Sequence, residues 1–193
     1  MTTPPPSSPP GGNPLRFNLV LARLVDTAGQ SSSGYRRFTK ACELAEALGF
    51  DGVWASHGNN RPDPIALMTH VISVSETLRT GTGVFLLSVR HPAAVALELA
   101  TIDQLSEGRL IFGVGAAGDR GNDLTINGIK SSERGRRMDE SLAVLRALWA
   151  GEEVHHEGKF YSVDGHLQVR PYQKPIPMLM GARGGRTDRP NPQ

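Results

Sequence analysis

Apolar residues recur along this chain in two alternating rhythms. Phe38, Ala41, Leu44, Ala45 and Leu48 stand three and four apart, the spacing of one helix face, and Gly49 follows with the freedom to close such a helix in a left-handed conformation. The run DGVWAS at 51–56 then reads as a short strand. Asp63 and Pro64 supply a cap and a first-turn proline, opening a helix through Ile65, Met68, Val71, Ile72 and Ser75. TGTGVFLLS at 80–88 is the next strand, and Pro92 starts a helix whose face is Val95, Ala96, Leu99, Ile102 and Leu105, stopping before Gly108. A further strand at 109–114 precedes a helix with Met138, Leu142, Leu145, Leu148 and Trp149 on one side and Gly151 after its end. With 16–21 as a first strand and 175–180 as a fifth, strand and helix alternate four times before a last strand. EVHHEGKFYSV at 153–163 interrupts the series as a small hairpin turning at Glu157 and Gly158.

This alternation predicts an α/β fold of parallel strands joined by crossover helices. Open sheet and closed barrel share the pattern, and periodicity does not choose between them.

Composition narrows the class. Of 193 residues, 38% are hydrophobic and 21% charged, values of a soluble globular domain that exclude wholesale disorder. The opening MTTPPPSSPPGGNP, 1–14, is a Pro/Ser/Gly tail expected to be disordered; it has no basic segment leading into an apolar core and does not read as a secretion signal. No apolar stretch approaches the roughly 20 residues of a membrane helix, so the expectation is a cytoplasmic protein with no membrane partner. A net charge of +2 does not point to nucleic acid, and the basic run ERGRR at 133–137 reads as a solvated helix start. Cys42 is the only cysteine, which excludes an internal disulfide and a cysteine-based metal site; its apolar neighbours make it a small buried hydrophobe.

The stretch GRLIFGVGAAGDRGN at 108–122 contains a literal GxGxxG. A dinucleotide cradle requires those glycines to end a strand and open a helix together. Here DRGNDLTINGIKSS follows, rich in turn residues, so the helix is missing and a Rossmann reading is disfavoured. The six histidines show no HExxH or comparable spacing. His155 and His156 are adjacent in a strand and point to opposite faces, so no metal site is expected.

Four phrases taken in order resemble the bacterial luciferase-like monooxygenase family: GFDGVWAS (49–56), RTGTGVFLLSVRHPAAVALELATIDQLSEGRLIFGVGAA (79–117), ERGRRMDESLAVLRALWAGEEVHHEGKFYSV (133–163) and QKPIPMLMG (173–181). The resemblance implies a (β/α)8 TIM barrel, of which this chain holds about the first five strands and four helices, with the site at the C-terminal strand ends. It also implies an oxidoreductase acting on a small-molecule substrate, using reduced FMN with oxygen or hydride transfer with the deazaflavin coenzyme F-420. Strand two ends at Ser56 and His57, where the family carries an acidic residue and a histidine beside the ring. The text ASHGNN keeps the histidine, a candidate to donate a proton or position substrate, and lacks the acid. Gly83 and Val84 fall where the deazaflavin enzymes form a non-proline cis bulge against the ring, which favours F-420 over FMN. Ala116, Ala117 and Gly118 end strand four, where small residues let backbone approach a flat ring. Gly118 stands where relatives carry a polar group, and Asp119 substitutes only if the loop shifts. His91, just before Pro92, reads as a helix cap or loop residue.

An eight-stranded barrel typically takes about 250 residues. Five strands are spent by Met180, and the tail GARGGRTDRPNPQ has no apolar period, which suggests a reading frame interrupted near Gly181. The folded domain is expected over 15–181, with 182–193 irregular. Five strands leave two open edges, an arrangement open to aggregation or to pairing with another copy as a homo-oligomer, and the rival reading is a non-catalytic half-barrel.

Overall fold

The computed structural model describes residues 16–20, 33–117 and 122–181. The 1–14 stretch, Gly118, Asp119 and the 182–193 tail lie outside the described residues. The elements are β1 (Asn18–Val20), α1 (Ser33–Ala47), β2 (Gly52–Ala55), α2 (Pro64–Val74), β3 (Arg79–Thr82), β4 (Phe85–Leu86), α3 (Pro92–Leu105), β5 (Leu110–Gly115), α4 (Asp123–Ile126), α5 (Arg134–Ala150), β6 (Val154–Glu157), β7 (Ser162–Gly165) and β8 (Met178–Met180). Adjacent strands β1, β2, β3, β5 and β8 pair in parallel, and β4 continues the line of β3 alongside β5. That is the βα series of a partial barrel, with the antiparallel β6/β7 hairpin apart from it.

The helices begin and end where local chemistry directs. Asp63 Oδ1 accepts from the Ile65 and Ala66 N–H groups at 2.8 and 3.4 Å, capping α2 before its first-turn proline. His91 caps α3, its Nδ1 accepting from Ala93 N–H at 3.3 Å, and α5 stops at Gly151 with φ of 92°.

Outward-facing strand residues bury two clusters against these helices. Phe38, Cys42, Val53, Val71 and Leu78 pack between α1, α2 and β2. Phe85, Leu99, Leu110, Phe112, Leu145 and Leu148 join β4, β5, α3 and α5. Cys42 is fully buried, and burial pushes its thiol up to about 11, with Glu43 adding to the shift. At the two sheet edges, Val20 on β1 and Met180 on β8 stay 56% and 62% exposed.

Three sequence-based boundaries shift. The strand expected over 80–88 is broken: β3 ends at Thr82, the Gly83–Val84 peptide is cis, and a 3-10 turn, Leu87–Val89, follows β4. The hairpin does not turn at Glu157 and Gly158. Glu157 ends β6, and residues 158–161 form the loop, because the Glu140 carboxylate on α5 takes the Phe160 and Tyr161 N–H groups at 3.0 and 2.8 Å and withholds them from the ladder. The fifth barrel strand shortens to Met178–Met180, since Pro175 and Pro177 have no N–H to give a ladder. Between β5 and α5 the turn-rich stretch still winds one helical turn, α4.

Candidate active site

The residues singled out for the site converge at the C-terminal ends of β2, β3 and β5. Gly83 N–H donates to Ala55 O at 2.8 Å and His57 N–H to Val84 O at 3.2 Å, so the loop after β2 is stitched to the bulge after β3. Ser56 Oγ donates to Gly83 O at 3.1 Å. Beyond His57 the loop is also tied to α4, where Asn59 N–H meets Asp123 Oδ1 at 2.7 Å and the Asn59 amide bonds Asn122. Across the bulge, Ser88 Oγ donates to Ala116 O at 3.2 Å, and the Tyr161 hydroxyl reaches Ser88 O at 3.5 Å.

Gly113 and Gly115 of GVGAAG have close protein neighbours. A Cβ on Gly113 would stand 1.8 Å from Thr82 O and 3.4 Å from the Trp54 ring. A Cβ on Gly81 would meet Ile111 O at 2.6 Å and the same indole at 3.4 Å. The Trp54 indole therefore packs against bare backbone of β3 and β5. Gly115 and Gly181 flank Val84: added methyls would come within 2.8 and 2.6 Å of its two Cγ atoms. These glycines make room for the indole, the β3 backbone and the Val84 side chain. Gly83 differs. It is exposed, and a Cβ there would have only Trp54 within 4 Å, at an ordinary 3.7 Å. Its open peptide, with Ser56 and His57 beside it and the small, partly buried Ala116 and Ala117 on β5's end, forms a ledge whose chemistry fits a flat heteroaromatic ring.

His57 has a defined protonation state. Leu86 N–H donates to its Nδ1 at 3.1 Å, so the single proton of the neutral imidazole sits on Nε2, which bonds to no described residue. Protonating Nδ1 would oppose that main-chain donor. Burial holds the His57 pKa down at about 4, the Arg90 guanidinium lowers it further, and Asp63 and Asp123 pull the other way. At neutral pH the group is a hydrogen-bond donor through Nε2, not an imidazolium.

Three contacts of Arg90 complete the surroundings. Arg90 pairs with Asp63 and lies 3.5 Å from Glu98 Oε2, while its guanidinium covers the Phe85 ring. Burial raises the Glu98 carboxyl above its usual range, against the pull of Arg90.

The remaining histidines stand elsewhere. His91 packs edge-on to Tyr161 besides capping α3, His155 pairs with Asp164, and His156 reaches Glu140 across the other face of the hairpin. Among the described residues no three histidine, cysteine or acidic side chains gather to hold a metal ion. No described helix is long and apolar enough to cross a membrane. A groove of about 710 Å³ lined by Arg146, Trp149, Arg170, Lys174 and Met178 contains none of the candidate site residues. The contributions of Trp54 and of the Leu86 N–H escaped sequence reasoning: the first reads only as part of the strand phrase GFDGVWAS, and the second is main chain.

The fold is a partial α/β barrel with the candidate residues gathered at its C-terminal strand ends. The model of the family described as luciferase-like monooxygenase matches residues 15–189, and the chain belongs to that family. It is 34% identical over 154 residues to an F420-dependent glucose-6-phosphate dehydrogenase of Microbacterium testaceum, covering 73% of this chain and 45% of that protein. The crystal structure of monooxygenase RslO1 from Streptomyces bottropensis superposes with a TM-score of 0.78 at 30% identity, over 86% of this chain and 53% of the other. The oxygenating constituent of 3,6-diketocamphane monooxygenase from Pseudomonas putida, solved with FMN, has the same fold, with a TM-score of 0.75 at 22% identity over 86% and 51%. The chain spans about half the length of the relatives it matches.

Proposed function

We propose that this chain carries the ring-binding part of an oxidoreductase site of the luciferase-like family, with the deazaflavin F-420 favoured over FMN and a small organic molecule as substrate. The observation that carries the reading is the His57 imidazole, fixed at Nδ1 by the Leu86 N–H and leaving Nε2–H bonded to no described residue, in the loop tied to the open Gly83–Val84 segment. The dehydrogenase relatives whose names specify F420 support the choice of cofactor. A deazaflavin, when bound, would exchange a hydride with the substrate, accepting it in a dehydrogenation, and a reduced flavin would supply the electron pair for reaction with oxygen. The chain's own residues do the rest. Gly83, Ala116 and Ala117 leave the ledge clear of side-chain bulk, Ser56 fixes the Gly83 carbonyl, and His57 holds a proton at Nε2 toward a ring nitrogen or a substrate oxygen. Because the imidazole is neutral, it stabilises developing negative charge by hydrogen bonding and orients the partner.

Titrating the purified protein with F-420 and with FMN, following absorbance and fluorescence, tests the reading. F-420 binding is expected, weakened about tenfold in His57→Ala, the value of one hydrogen bond of about 1.4 kcal/mol. No change with either cofactor overturns it and leaves the non-catalytic half-barrel, the reading favoured by the exposed Val20 and Met180 at the sheet edges.

A further inference from the structure

His57 is held by more than its backbone bonds. Its ring packs on Phe85 with centroids 4.6 Å apart at 59°, and the Arg90 guanidinium lies over that Phe85 ring, 5.3 Å from its centroid. Arg90 is itself gripped from two elements, by Asp63 at the start of α2 and by Glu98 of α3. Asp63 is committed on both sides: Oδ1 accepts the first N–H groups of α2, and Oδ2 takes Arg90. The charged groups facing His57 are thus Arg90 from the segment before α3, Asp63 from α2 and Asp123 from α4, with Glu98 beyond Arg90. Asp123 is occupied by the Asn59 N–H. No described carboxylate bonds the imidazole.

We propose that Arg90 is a positioning residue for His57: stacked on Phe85 and paired with Asp63 and Glu98, it backs the aromatic ring on which the imidazole packs and balances the carboxylates around it. The physical reason is charge balance. An unpaired Asp63 carboxylate this close would draw a second proton onto the ring, and Arg90 cancels that field while adding its own repulsion. Arg90 acts through Phe85 and through space. The inference rests on the reading of His57 as the ring-facing donor, yet its test does not use cofactor.

The experiment follows the ring nitrogens of His57 by NMR in ¹⁵N-labelled protein from about pH 3.5 to 8, in wild type, Arg90→Met and Arg90→Lys. Wild type is expected to show the Nε2–H tautomer with a midpoint well below the ordinary histidine value. R90M keeps an apolar stem over Phe85, and its His57 midpoint is expected to rise by about one unit or more. R90K keeps the charge, and its midpoint is expected to stay within about 0.3 of wild type. A folded R90M with an unchanged midpoint overturns the proposal, as does a wild-type His57 that titrates normally. If R90M does not fold, Arg90→Gln, which also removes the charge, decides: a midpoint raised by about one unit supports the proposal, and an unchanged midpoint overturns it. A low midpoint in a protein that binds neither cofactor refutes the proposed function and leaves the role of Arg90 standing.

Discussion

Replacing Gly113 with alanine separates two explanations of the glycines that end β5. If they clear space for a bound ring, an added methyl costs ligand affinity and leaves the fold alone. The packing gives another outcome. The new Cβ would lie 1.8 Å from Thr82 O and 3.0 Å from Thr82 C, main-chain atoms of the neighbouring strand that no rotamer change can move. Thr82 is pinned there, since its Oγ1 donates to Gly113 O at 2.6 Å in a buried site and the next N–H, on Gly83, is held by Ala55 O. Relief requires β3 and β5 to part, so overpacking of about 1–3 kcal/mol adds to about 1–3 kcal/mol for the broken buried bond. The expected loss is about 2–6 kcal/mol, a large share of the 5–15 kcal/mol or so of a typical domain. Gly49→Ala is the control: φ is 74° with nothing within 4 Å, so only the left-handed backbone penalty of about 1–2 kcal/mol applies. Gly115→Ala should fall between, because the atom it meets, Val84 Cγ2 at 2.8 Å, belongs to a side chain that can turn. Urea unfolding followed by tryptophan fluorescence ranks the three. If G113A loses no more than G49A, the packing argument is wrong.

Two further outcomes are expected. Folded His57 has a pKa near 4, below its unfolded value of about 6.5, so between those values the unfolded chain binds more protons and stability falls as pH is lowered. Urea midpoints at about pH 7 and 5 should therefore differ more for wild type than for His57→Asn; equal differences would refute the assignment. That window lies above the one set by Glu46, whose carboxyl is held at about 2 chiefly by the Ser75 and Thr77 hydroxyls and whose contribution is lost only as pH falls below about 4.5. Glu140→Ala removes the acceptor of the Phe160 and Tyr161 N–H groups, and the hairpin loop should detach from α5 at a cost of about 1–3 kcal/mol. Limited proteolysis mapped by mass spectrometry should show new cleavage at 158–161, and an unchanged digest would contradict it.

The order and type of the elements were legible in the sequence because their determinants are local. Asp63 with Pro64 starts α2, His91 with Pro92 starts α3, and Gly151 ends α5, each read from neighbours a few residues apart. The four phrases that carry the family resemblance lie in those same elements, and they led to the strand ends where Ser56, His57, Gly83 and Val84 meet. Spacing overreached where coverage decides: Leu44 and Leu48 keep the helical period of α1 yet remain more than half exposed, because which part of an apolar stripe is covered depends on where the next helix lies. Only tertiary structure showed that Gly113 answers to Thr82, 31 residues away, and that the Leu86 N–H, 29 residues from His57, fixes its tautomer. It likewise brought Asp63, Arg90 and Glu98 together around one charge. Caps and periods act over a single turn of chain, whereas a methyl's clearance and an imidazole's proton are set by atoms that become neighbours only when parallel strands are laid side by side.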